Sequence, residues 1–196
     1  MKHSGIVLVV VTLAFAACVP GANAKEKIIL DTDMVMLYDD GVAMMMLANH
    51  PNVELLGVTI VPGNTWVSEG TACALRQLEV LNRPDVPVAM GTRHPLRAGR
   101  FETIELERKM FGYKSPFIGC FARVEPKSYL EVFRRQFRED PAITPVGKHA
   151  VRFLIDTVKA NPGQVTIVPI GPCTNLAIAI RLAPEIIPMI KSVVYM

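Results

Sequence analysis

Four carboxylates crowd into ten residues of the chain: Asp31-Thr32-Asp33, five further residues, then Asp39-Asp40. Like charges at that density repel, so something positive must offset them. The N-terminus of a following helix can do part of this, with Asp39 and Asp40 capping it while Asp31 and Asp33 accept hydrogen bonds from loop amides. A cap uses one carboxylate, however, and the usual partner of several is a hard cation such as Ca²⁺, bound by carboxylate and carbonyl oxygens. The spacing therefore points to a metal site, with helix capping as the competing account.

The acids must be held by the elements around them. Residues 27–30 form a short apolar run ending at Asp31, and residues 41–48 read as a helix stopped by Asn49-His50-Pro51, so a buried strand feeds a helix through the acidic loop. Residues 54–61 give a second strand, 65–81 a helix and 86–90 a third strand, punctuated by Pro62-Gly63-Asn64 and Arg83-Pro84-Asp85. This alternation predicts an α/β fold, a mostly parallel open sheet with crossover helices. Residues 92–143 read as a long irregular section of the kind that serves as a functional loop or lid, with Arg134, Arg135 and Arg138 as a solvated helix face. Beyond it come a helix at 145–160, a strand at 165–169, a helix at 175–182 and a last strand opening at 192–196, which would present an apolar edge.

The run Ile28-Ile29-Leu30-Asp31-Thr32-Asp33 followed by Asp39-Asp40 resembles the signature of the inosine-uridine preferring nucleoside hydrolases. Val61-Pro62-Gly63-Asn64-Thr65 and Val168-Pro169-Ile170-Gly171-Pro172-Cys173-Thr174-Asn175-Leu176-Ala177 match two more of the family's motifs, in the family's order and at the carboxyl ends of strands. The resemblance covers about residues 27–196 and implies a nucleoside hydrolase-like domain with a Rossmann-like core, represented by its amino-terminal part. It implies Ca²⁺-dependent hydrolysis of the N-glycosidic bond of ribonucleosides to ribose and free base, as in purine and pyrimidine salvage. Asp33 and Asp40 would ligate Ca²⁺ through carboxylates and Ile170 through its backbone carbonyl. Asp33 would also be the general base on a water that the cation acidifies. Asp39 would hold a ribose hydroxyl, Asn64 would orient the attacking water and the ribose, and Asp31 would support the loop from behind. The family's carboxyl-terminal part would add another Ca²⁺-binding Asp, a His near the leaving base, and Asn and Glu contacts to ribose; the fold is expected to be incomplete without it and the activity impaired.

Two departures from the family pattern bear on geometry and specificity. The family's turn between the Asp groups contains Gly, whereas Met34-Val35-Met36-Leu37-Tyr38 has none to take a positive φ cheaply. The His-Gly motif of the middle section is replaced at its nearest by Phe111-Gly112, which leaves base preference open. Two other functions compete. An exported Ca²⁺- or sugar-binding module, or a decayed relative, would keep the fold without turnover. A haloacid dehalogenase-like phosphatase would use the same Asp31-Thr32-Asp33-Met34-Val35 as D-x-D-x-[TV], with Asp31 as nucleophile, Asp33 as acid/base and Mg²⁺ as metal, but gives no role to Asp39, Asp40, Asn64 or the Gly171–Asn175 motif.

Composition sets outer bounds. With 51% hydrophobic residues and a net charge of +3 over 196 residues, the chain is neither a disordered segment nor a charge-driven nucleic-acid binder. Met1-Lys2-His3, the apolar run 5–17 and Pro20-Gly21 before Ala22-Asn23-Ala24 read as a signal peptide over residues 1–24, ahead of a mature domain at 25–196 exported to the periplasm or the extracellular space. That segment inflates the mean hydropathy of +0.32, and no later stretch qualifies as a membrane span. Phe15-Ala16-Ala17-Cys18 also allows a lipid anchor on Cys18. The partner expected is a small-molecule nucleoside, with a homo-oligomer left open. Cys73 and Cys173 read as buried small hydrophobes and Cys120 as an oxidisable loop residue. His149 reads as a packed or surface helix residue, Met44-Met45-Met46 as core packing, and Trp66 as packing at the start of its helix, with stacking on a base as the alternative.

Overall fold

The apolar run around Ile29 forms β1 (Glu26–Thr32), and this strand sits at the centre of the sheet. The computed structural model describes residues 24–97, 100–112 and 118–196, so the expected signal peptide and Cys18 lie outside the described residues. After β1 come α1 (Asp39–Asn49), β2 (Val53–Ile60), α2 (Val67–Val80), β3 (Val88–Met90), α3 (Arg100–Phe111), α4 (Tyr129–Phe137), α5 (Ala150–Ala160), β4 (Val165–Pro169), α6 (Thr174–Leu182) and β5 (Ile190–Val193), with 3-10 turns at Gly119–Ala122 and Pro184–Met189. All strand pairs are parallel, in the order β3-β2-β1-β4-β5. The α/β sheet expected from the sequence is therefore present.

Side-chain alternation along β1 explains why helices cover both faces. Leu30 belongs to a core that includes Met44 of α1, Leu75 and Leu78 of α2 and Phe133 of α4, and Ile28 packs against it. Ile29 points the other way, into a core with Leu154 and Val158 of α5 and Leu176 and Ala179 of α6. Of the methionine run, Met44 is buried and Met46 exposed, as a run wrapping around a helix must be.

The strand order reverses at β1. The chain leaves β1 toward β2 and β3 on one side, and later returns to β4 and β5 on the other, so the loops after β1 and β4 diverge and open a crevice at the carboxyl ends. Register places the start of the acidic loop there: Asp31 pairs with Thr59 of β2 and with Pro169 of β4.

The section 92–143 is not irregular as expected: it contains α3, the Gly119–Ala122 turn and α4. The signal for α4 is local, since Ser128 Oγ accepts from the Glu131 amide at 3.1 Å while the Glu131 carboxylate accepts from the Lys127 amide at 3.1 Å. Arg134, Arg135 and Arg138 are exposed at the end of this helix, as read. Helix α5 starts at Ala150 rather than 145 because the Val146 amide donates to Val88 O at 2.8 Å, tying that stretch to the edge of β3. His149 then caps the helix, its Nδ1 accepting from the Val151 amide. The last strand begins two residues earlier than expected, and beyond it Val194 and Met196 amides still donate to Ile167 O and Pro169 O, with Val194, Tyr195 and Met196 exposed. Among the described residues no helix is long and apolar enough to cross a membrane.

Candidate active site

Asp31, the last acid before the chain leaves the sheet, is fully buried. Its Oδ1 accepts from Thr59 Oγ1 at 2.6 Å and from Asn175 Nδ2 at 2.8 Å, whereas Oδ2 has no partner among the described residues. Burial pushes its carboxyl up to about 6, against the opposing pull of those two hydrogen bonds. Asn175 is equally buried; its Nδ2 also reaches Ile60 O at 3.1 Å and its Oδ1 accepts from the Thr92 amide at 3.1 Å. One amide side chain at the start of α6 thus gathers the carboxyl ends of β1, β2 and β3. The motif Gly171–Asn175 gives Asn175 no role by spacing alone, although a buried Asn opening a helix must satisfy both ends of its amide.

Asp33 and Asp40 meet beyond the sheet. Asp33 Oδ2 accepts from the Asn64 amide at 2.6 Å, and its backbone carbonyl accepts from Thr65 Oγ1 at 2.9 Å. Gly63 packs so closely that a Cβ there would overlap the Asp33 carboxylate, and a Cβ on Gly171 would stand 2.9 Å from Asp33 Oδ1. Asp40 Oδ2 accepts from Thr32 Oγ1 at 2.9 Å. Burial raises the Asp40 carboxyl to about 7, and the adjacent Asp33 and Asp39 push it the same way. Asp39 and Asn64 are exposed and line, with Val35, Tyr38, Asp40, Gly119 and Arg123, an open cavity of about 240 Å³.

Ile170 belongs to the loop after β4, where its amide donates to Asp31 O at 2.9 Å and its side chain packs on the core beneath α1 and α2. An apolar side chain anchors the loop there and leaves any ligation to the carbonyl. Among the described residues no three His, Cys, Asp or Glu side chains converge as a metal cage; the carboxylates come as the Asp33–Asp40 pair. The chemistry of this donor set, all oxygen and two neighbouring acids with one strongly raised, fits a hard cation.

Asp31 has no opening through which to attack a substrate, which removes the phosphatase reading. Trp66 is buried edge-on against Phe121 with ring centroids 5.1 Å apart, and its Nε1 donates to Arg123 O, so it packs and does not stack on a base. The cysteines divide otherwise than expected. Cys73 is buried, but Cys120 is buried too, inside the Gly119–Ala122 turn, whereas Cys173 is exposed where α6 begins. The Gly-free turn places its positive φ, +59°, at exposed Leu37. Arg123 also belongs to the site, and lying 59 residues from Asn64 it gives no local signal in the sequence.

The family model described as inosine-uridine preferring nucleoside hydrolase matches residues 28–196. A pyrimidine-specific ribonucleoside hydrolase, RihB, of Escherichia coli is 33% identical over 172 residues, covering 88% of this chain and 47% of its own length. Among solved structures, a plant nucleoside hydrolase superposes with a TM-score of 0.65 at 26% identity, over 87% of this chain and 47% of that one. A purine-preferring ribonucleoside hydrolase from Gardnerella vaginalis gives a TM-score of 0.62 at 28% identity, over 87% and 48%. The chain spans about half the length of the curated relatives it matches.

Proposed function

The chain belongs to the inosine-uridine preferring nucleoside hydrolase family, and from that premise we propose that it serves Ca²⁺-dependent hydrolysis of the N-glycosidic bond of ribonucleosides, giving ribose and free base. The observation that carries this reading is the pairing of Asp33 with Asp40 beside exposed Asp39 and Asn64, in a crevice where the strand order reverses. The family's metal would lie between Asp33, Asp40 and the Ile170 carbonyl, and when bound it supplies positive charge that acidifies water and orders ribose hydroxyls. Asp33, fixed by the Asn64 amide, takes a proton from the attacking water at its carboxylate. Asp39 accepts a hydrogen bond from a ribose hydroxyl, and the Asn64 side chain orients the water and the sugar. Breaking the C–N bond leaves positive charge on the ribose ring, which clustered carboxylates stabilise at close range. Asp31 contributes through Asn175 and the loop backbone, out of reach of the substrate.

The relatives named as pyrimidine-specific and purine-preferring both match, so inosine and uridine are tested together. Calorimetric titration of Ca²⁺ into the chain, with and without ribose, is combined with an assay for hypoxanthine or uracil release in the same samples. Ca²⁺ binding that ribose strengthens, with base released, is the expected result. A folded chain that binds neither Ca²⁺ nor ribose and releases no base would overturn the reading. Ca²⁺ and ribose binding without base release would instead mark the non-catalytic module. Export rests on the charged start and apolar run 5–17 and is checked by the intact mass of the secreted chain, expected to begin at Lys25.

A further inference from the structure

We infer that Arg123 is a positioning residue of this site, the working end of a clamp that holds the loop carrying Asn64. The inference rests on the proposed function for the ligand concerned, and on the geometry alone for the clamp. Arg123 follows the 3-10 turn Gly119–Ala122, inside the long section between β3 and α5. Its Nη2 donates to Glu69 Oε2 at 2.7 Å and to Asn64 O at 3.3 Å. The same Glu69 oxygen accepts from the Trp66 amide at 3.0 Å, so one carboxylate both closes the first turn of α2 and holds the guanidinium.

The turn grips the loop from its other side as well. The Cys120 amide donates to Gly63 O at 2.8 Å, the Trp66 indole donates to Arg123 O at 3.2 Å, and Trp66 meets Phe121 edge-to-face. Gly119, at φ +57°, lies so near Gly63 O that a Cβ would overlap it, and Cys120 is wholly buried behind. Asn64 is thereby fixed at both ends of its own backbone: its amide by Asp33 Oδ2 and its carbonyl by Arg123. Only its side chain is left to the cavity, which Arg123 lines together with Asp39 and Asp40. A section of chain distant in sequence thus sets where Asn64 stands against the carboxylates.

The test uses the full chain and the variants Arg123→Gln and Arg123→Lys, with Arg93→Gln as control because it breaks a different ion pair of the same section, Arg93–Glu125 at 2.8 Å. Amide exchange is followed by NMR at Cys120 and at the Trp66 indole, an unambiguous signal in a chain with one tryptophan. In Arg123→Gln both exchange about two- to fivefold faster, the change in local opening that a half-exposed ion pair supports, while the Ile29 amide is unchanged. The Asn64 amide resonance moves and the ribose dissociation constant rises by a similar factor at unchanged Tm; Arg123→Lys recovers part of each, and Arg93→Gln matches the wild type. Exchange and Asn64 resonance in Arg123→Gln identical to the wild type would overturn the clamp. A wild-type chain that binds neither Ca²⁺ nor ribose and releases no base, with exchange still faster in Arg123→Gln, would overturn the proposed function and leave the clamp standing.

Discussion

Asp31, Asp33 and Asp40 are the same side chain in three settings, and each setting assigns different work. Asp33 and Asp40 adjoin each other, with Asp40 lining the cavity, so a ligand that needs both should be lost with either. Asp33→Asn and Asp40→Asn are expected each to weaken Ca²⁺ binding by at least about tenfold, while Cys173→Ser leaves it unchanged, as calorimetry would read. Binding retained in both Asp variants would sink the metal assignment. Asp31 instead tests burial. Its folded carboxyl stands at about 6 against an ordinary value of 3.8, so between those values the folded state holds a proton that the unfolded state has released. Stability from this group is fully present below about 4, falls as pH rises toward 6, and is flat above, a loss of about 3 kcal/mol. Asp31→Asn keeps an acceptor for Thr59 and removes the titration. The difference in unfolding free energy between wild type and variant, measured by denaturant in the absence of divalent cations, should therefore change across pH 4 to 6 and nowhere else. A difference constant with pH would show that Asp31 titrates normally.

At the scale of elements, the strands and the loops that follow them were legible because a short apolar run stopped by Asp, Pro or Gly has few other readings. Strand β4 falls on the expected residues, and β1 and β2 differ only at their ends. The section between β3 and α5 was legible only as a solvated helix face at Arg134, Arg135 and Arg138. Its helix α4 buries few residues, chiefly Val132 and Phe133, among many charges, so the period of its apolar face is short, and the capping pair Ser128 and Glu131 was its one clear mark. What Arg123 and Asn175 do could not be read at all, since each acts on residues far away in sequence. The loop after β1 lies between these cases. Its lack of Gly foretold a strained turn, and the strain falls on Leu37, whose exposed side chain gains nothing from the left-handed backbone. Leu37→Asn, which tolerates that conformation without the extra freedom of Gly in the unfolded chain, should raise stability by about 0.5–1 kcal/mol in thermal unfolding. A Tm that falls would mean that Leu37 makes contacts worth more than its backbone cost.

For the molecule as a whole, the sheet order brings two loops together that the sequence separates by more than a hundred residues, and the acids of one face the backbone of the other. Such a site belongs to the folded state alone, because the unfolded chain holds Ile170 and Asp33 apart. Whatever binds there must therefore stabilise the entire domain by mass action. With Ca²⁺ at about 100 times its dissociation constant the gain is about 2.7 kcal/mol, which for a chain of this size corresponds to a Tm rise of about 5–10 °C. With the proposed cation held by the Asp33–Asp40 pair, Asp40→Asn at the same Ca²⁺ should show at most about half that rise, and Mg²⁺, which demands a tighter octahedral shell than a loop pair and a carbonyl provide, should give less. Scanning calorimetry over a Ca²⁺ series decides the matter. A Tm that climbs with the logarithm of Ca²⁺ in the wild type, and in Asp40→Asn begins to climb only at about tenfold or more higher Ca²⁺, ties the cation to the crevice. A rise in both at the same Ca²⁺ would place the ion elsewhere on the molecule.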